Sequence, residues 1–143
     1  MFLLLVAATA AAASNGTYDN WQLGGGQSWI TASSALECSD HHYQCAVKAL
    51  RRNDVQVAVS ELGLAARQRD PRAMREIGLM KLRGDILKRD DAGAVGWLYE
   101  AALVGDRPSM QMLAYAFANG IGVSPDKNLS DYWGKRAASH ARS

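Results

Sequence analysis

The chain repeats itself. A step of 36 residues carries Asp70, Ala73, Met74, Ile77, Gly78, Gly84, Asp90, Ala94, Trp97, Ala101 and Ala102 onto Asp106, Ser109, Met110, Leu113, Ala114, Gly120, Asp126, Ser130, Trp133, Ala137 and Ala138, with no gap. A period of 20 to 50 residues marks units that cannot bury their apolar faces alone and stack on one another. This constrains the fold more than any other feature of the chain. Such stacks are all-α or built from short strands, and the spacing decides between them. Apolar residues at Ala73, Met74, Ile77 and Met80, and again at Ala94, Val95, Leu98, Ala101 and Ala102, recur in steps of three and four. That is helical periodicity. The expected fold is an all-α short α-solenoid of about two and a half repeats, each an antiparallel helix pair.

Local signals place the helix ends. The first helix of the middle copy is expected from about Arg72 to Arg83, and the second from about Ala92 to Val104. Asp70 is a good N-cap, and Pro71 suits the first helical position, where its missing N–H has no partner to lose. Asp90, Asp91 and Asp126 are candidate caps of the second helices. Gly84 and Gly120 suit a helix C-terminus that ends in a left-handed residue. Trp97 and Trp133 are the expected apolar wedges between helices, with small residues beside them to let backbones approach. A weaker upstream copy sets Asp54 under Asp90, Ala58 under Ala94 and Ala65-Ala66 under Ala101-Ala102, but Glu61 where the tryptophan would be. Its first helix is expected from roughly Leu36 to Arg52.

These residues resemble the Sel1-like repeats, relatives of the tetratricopeptide repeats. The last copy carries Leu113, Phe117, Gly120-Ile121-Gly122-Val123-Ser124-Pro125-Asp126, Trp133 and Ala137-Ala138; the middle copy departs at Lys81, where an aromatic is usual, and at Ile86, where the second glycine is usual. The resemblance is specific over residues 70–142, weak over 36–69 and absent before. It implies helix-turn-helix stacking and a scaffold role.

Ahead of the repeats the composition changes twice. Residues 2–13 are a run of Phe, Leu, Val, Thr and Ala ending in Ala11-Ala12-Ala13 before Ser14. The run is short for a membrane span and carries a small-residue cleavage pattern, so 1–13 is read as a signal peptide, although no Lys or Arg precedes it. Residues 14–35 are rich in Gly, Ser, Thr and Asn, with Trp21, Trp29 and Ile30 the main exceptions. They are expected to form a flexible arm, the alternative being that one tryptophan docks on the first helix pair. The repeat domain is then 36–143. A net charge of +2 with 21% charged residues gives no reason to expect nucleic acid as a partner. Export implies a periplasmic or secreted protein.

Chemistry has one place to hide, the run Cys38-Ser39-Asp40-His41-His42-Tyr43-Gln44-Cys45. In an exported chain two cysteines usually pair. On one continuous helix their Cα atoms would stand roughly 10 Å apart, beyond the reach of about 4.4–6.8 Å that a disulfide needs. A Cys38–Cys45 bridge therefore requires Cys38 to lie off the helix, with Asp40 as cap and His41 in the first turn. Two other readings stay open. A metal could be held by Cys38, His41 or His42, and Cys45, although the spacing matches no standard zinc pattern. The cysteines could instead be free or buried beside solvated histidines. No catalytic set, metal site or cofactor is assigned. A cell-wall enzyme, or a thiol- or metal-dependent one, centred on Cys38, His41, His42 and Cys45 is the rival to a binding role.

The resemblance to tetratricopeptide-like stacks implies a concave working face lined by the first helices. Off the packing stripe these carry Tyr43, Arg72, Arg75, Leu79, Leu82, Arg83, Gln111, Tyr115 and Asn119. Tyrosine and arginine are common binding hot spots. The expected function is an exported protein–protein interaction module, regulating an envelope sensor or assembly. Its partner is another protein of unknown identity, with self-association through the terminal repeat also possible.

Overall fold

The computed structural model describes residues 41–140. The expected signal peptide, the arm and Cys38 lie outside the described residues. Six helices follow in order: α1 (His42–Arg51), α2 (Val55–Arg67), α3 (Pro71–Arg83), α4 (Asp91–Leu103), α5 (Arg107–Asn119) and α6 (Lys127–Ser139). Among the described residues there is no strand. The repeat spacing is kept in the elements: α3 and α5 begin 36 residues apart, as do α4 and α6. The upstream copy supplies α1 and α2. Of its first helix, expected from Leu36, the described part opens at His42: His41 has left the helical region and stands at the N-cap, with no side-chain capping bond.

Five aspartates close the other helix starts. Asp54, Asp70, Asp90, Asp106 and Asp126 each accept a bond from a backbone N–H of the first turn. Those N–H groups have no partner within the helix, and such a cap stabilises by about 1 kcal/mol. Asp91 is the first residue of α4 and not its cap. At the opposite ends, Gly84 and Gly120 adopt φ of 70° and 71° and close α3 and α5. Both caps lie where the sequence signals set them.

Helices pair as α1–α2, α3–α4 and α5–α6, and each pair stacks on the next through α2–α3 and α4–α5. Helix α4 is apolar around most of its circumference because it is covered on two sides. Trp97 and Ala101 join Leu62, Ala66, Met74, Ile77 and Met80 in one core, while Leu98 and Ala102 join Met110, Leu113, Trp133 and Ala137 in the next. Close approach requires small residues at defined places. A Cβ on Gly78 would stand 3.1 Å from the Ala94 carbonyl oxygen. Gly122, at φ 66°, packs against the start of α4, where a Cβ would meet the Asp91 carbonyl oxygen at 2.2 Å. The Gly-x-Gly loop is therefore an inter-repeat contact.

The loop between α2 and α3 stores strain that the next repeat avoids. Arg69 is held at φ 61°, in the column that Gly105 occupies at φ 97°. A left-handed residue with a Cβ costs roughly 1–2 kcal/mol, part of which glycine returns as chain entropy. Arg69→Gly is expected to stabilise the protein by about 0.5–1 kcal/mol. The Arg69–Glu100 pair, exposed and 4.0 Å long, contributes little against this. A thermal melt checks it; a midpoint that stays or falls contradicts the strain.

Candidate binding groove

All nine residues expected on the binding face lie on first helices: Tyr43 on α1, Arg72, Arg75, Leu79, Leu82 and Arg83 on α3, and Gln111, Tyr115 and Asn119 on α5. They do not form one uniform surface. Leu82, Gln111 and Tyr115 line a cleft of about 520 Å³ between α3 and α5. Val95 and Leu98 of α4 also line it, together with Pro108, Met112, Ala116, Ile121 and Arg89. Tyr115 is 64% exposed, and its backbone carbonyl accepts a bond from Asn119 Nδ2 at 2.8 Å. Pro108, Met112 and Ala116 belong to α5, while Val95 and Leu98 come from α4 and Arg89 and Ile121 from the loops after α3 and α5. A pattern read along the first helices alone does not reach those last four.

The arginines of this face are engaged within the chain, two of them locally and one across repeats. Arg72 donates to Asp70 through Nε at 3.1 Å and Nη2 at 2.8 Å, and its guanidinium lies 4.4 Å from the centre of the Tyr43 ring. Arg83 is 3.3 Å from Asp85. Arg75 donates to Asp106, the residue that caps α5. Asp106 also accepts from the Ser109 N–H at 3.0 Å and hydroxyl at 2.6 Å. Arg75 thus ties α3 to the start of the next repeat, which makes it a joint between repeats as well as a surface residue.

The cysteine–histidine run resolves into separate roles. His41 is exposed. His42 is not a solvated histidine: its Nδ1 donates to Glu61 Oε2 at 2.7 Å, with side-chain exposures of 12% and 2%. The other two repeats hold Gly78 with Trp97 and Ala114 with Trp133 in the same two columns. One small and one large residue have been exchanged for two of middle size that share a proton donor and an acceptor. The glutamate in the tryptophan column was a visible anomaly. Its partner was findable by stepping His42 forward 36 residues onto Gly78. Cys45 sits one turn along α1, and no described cysteine is a free thiol. Among the described residues no group of three His, Cys, Asp or Glu side chains is placed to hold a metal.

Lys81 takes the column of Phe117 and is also buried. Its Nζ donates to Asp90 Oδ2 at 3.0 Å, so the lysine replaces an aromatic by reaching the cap of α4. The bond from the Gly93 N–H, then that from Lys81, hold the Asp90 carboxyl below its ordinary value against a smaller opposing effect of burial. Burial acts most strongly on Asp70 and pulls it up, but the bonds and charge of Arg72 outweigh it and the net shift is downward. A carboxyl lowered on folding stabilises fully above its unfolded value, near 3.9, and loses that contribution as the pH falls through its folded value. Melting temperature is therefore expected to decline below about pH 4. Asp90→Asn keeps a capping side chain and should flatten that decline; an unchanged pH profile contradicts the assignment.

Antiparallel helix pairs stacked at a constant step define a short α-solenoid, a class that presents surfaces to other molecules. Residues 71–106 and 107–141 match the Sel1 repeat, and the chain belongs to the Sel1 repeat family. A solved Sel1 repeat protein from Oxalobacter formigenes is similar at 28% identity and a TM-score of 0.67, over 78% of this chain and 92% of that one. The protective antigen c5321 of uropathogenic Escherichia coli is similar at 26% identity and a TM-score of 0.64, over 74% of this chain but 24% of the antigen. Helicobacter pylori cysteine rich protein B shares the fold at 19% identity and a TM-score of 0.62, over 78% of this chain and 92% of that one. No functionally curated protein matches. Sel1 repeats typically form protein–protein interaction modules, and the family is generally a non-enzymatic scaffold. No described helix is long and apolar enough to cross a membrane.

Proposed function

We propose that this chain is an exported interaction module, periplasmic or secreted, that holds a partner protein on its first-helix face and regulates an envelope sensor or assembly. The observation that carries the reading is the apolar cleft between α3 and α5 with Tyr115 exposed at its edge. Tyrosine beside an apolar cleft offers a large contact at low entropic cost, as binding hot spots do. Export rests on the apolar run of residues 2–13 and its small-residue end. The state of Cys45 supports it: the chain has one other cysteine, Cys38, with which a disulfide would close in an oxidising compartment.

The test is affinity capture of the chain from envelope extract, with bound proteins identified by mass spectrometry. Tyr115→Ala combined with Gln111→Arg changes two exposed positions, so capture of the specific partner is expected to fall at least tenfold while the melt is unchanged. Arg75 is left intact because it holds the α5 cap. Cys38→Ser with Cys45→Ser is expected to lower stability by about 2–4 kcal/mol if the bridge is present, yet leave capture by the folded fraction intact. Retained capture by the groove variant together with lost capture by the cysteine variant contradicts the scaffold reading and favours chemistry at the thiols.

A further inference from the structure

The α3–α5 cleft is apolar and electrically satisfied. Leu82, Val95, Leu98, Met112 and Ile121 line it, and its one lining cation, Arg89, is paired with Asp91 at 2.9 and 3.1 Å. Nothing in this lining asks for a charged ligand. Its volume, about 520 Å³, lies in the ordinary range of ligand pockets.

The chain carries a group of matching chemistry. Residues 14–35 contain a single charged side chain, Asp19, alongside Tyr18, Trp21, Leu23, Trp29 and Ile30. Trp29 and Ile30 are adjacent, which makes them the most concentrated apolar group of that stretch. The stretch joins the repeats at His41, beside α3: Tyr43, two residues on, packs under Arg72 of that helix. Packed helices lie about 8–10 Å apart, and successive first helices are joined through the second helix that both pack on, so two steps from α1 through α3 to α5 cover at least about 20 Å. About 12 residues separate Trp29 from His41, and a coil of that length averages about 20 Å end to end and can extend to about 40 Å. A short tether that spans the distance before full extension raises the effective concentration toward the millimolar range. Weak intrinsic affinity is then enough for occupancy.

We propose that Trp29 and Ile30 of this chain occupy the α3–α5 cleft, as a built-in ligand that any partner using the cleft has to displace. The occupancy itself does not depend on an outside partner, so it stands or falls separately from the interaction role. The experiment is methyl NMR on the full chain labelled at methionine. Met112 lines the cleft, whereas Met74 and Met80 are buried in the other core. Cross-relaxation is expected between the Trp29 indole and the Met112 methyl. Trp29→Ser is expected to abolish it and to shift the Met112 resonance, leaving Met74 and Met80 in place. Trp21→Ser is expected to leave all three unchanged. A Met112 resonance indifferent to Trp29→Ser overturns the proposal, as does one that moves with Trp21→Ser instead. A cross-peak that fades on dilution also overturns it, because the occupant is then a second copy. Trp29 lies outside the six helices, and circular dichroism of each variant confirms that the repeats remain folded.

Discussion

Trp133→Ala is expected to destabilise the protein by about 3–5 kcal/mol, the range for deleting a large core aromatic. The indole is 2% exposed and meets the Tyr99 ring at 5.5 Å and the Tyr132 ring at 5.2 Å, both edge-on. The Arg136 guanidinium covers it at 5.5 Å. The Tyr99 contact joins α6 to α4, while Tyr132 and Arg136 lie on α6 itself, so the loss is not confined to one helix pair. In a chain of this size, a loss this large lowers the melting midpoint by about 6–20 °C. Trp97→Ala, in the equivalent column of the preceding repeat, is expected to cost a similar amount. Equilibrium denaturation measures both. A change below about 1 kcal/mol at either position contradicts the column as core.

His42→Ala is expected to cost about 3–5 kcal/mol, because it leaves Glu61 buried without its donor. The informative comparison is the double variant His42→Ala with Glu61→Trp, which installs the pair that the third repeat carries as Ala114 and Trp133. Replacing a buried polar pair by apolar residues of similar total volume is often neutral or stabilising. The double variant is therefore expected to recover most of the loss, ending within about 1.5 kcal/mol of the parent. Glu61→Trp alone crowds His42 and is expected to be worse than the double. Such strong non-additivity is the signature of two side chains that share one site. Simple additivity of the two single changes contradicts it.

The period and the local end signals were legible in the sequence because they depend on residues close in the chain. The 36-residue step, the caps at Asp70, Asp90 and Asp126 and the stops at Gly84 and Gly120 all act within one turn of where they stand. Trp97 and Trp133 were legible as core because a large apolar residue in a repeated column has few other places to go. The start of α1 was less legible: the upstream copy lacks the aspartate-proline opening of its successors, and apolar spacing continued back beyond His42.

What only the tertiary structure decided is how side chains from different repeats meet. Arg75 reads from sequence as a solvent-facing binding residue, yet it reaches Asp106, the cap of the next repeat. Lys81 and Glu61 read as departures from the pattern, yet each is buried and finds a partner, in Asp90 and His42. The cleft exists because Leu82 at the end of α3 and one side of α5 flank Val95 and Leu98 of α4. Local sequence carries helix propensity, periodicity and capping, which are short-range effects. The partner of a long charged side chain is set by which backbones are packed within its reach, and packing between repeats is not encoded in the residues beside it.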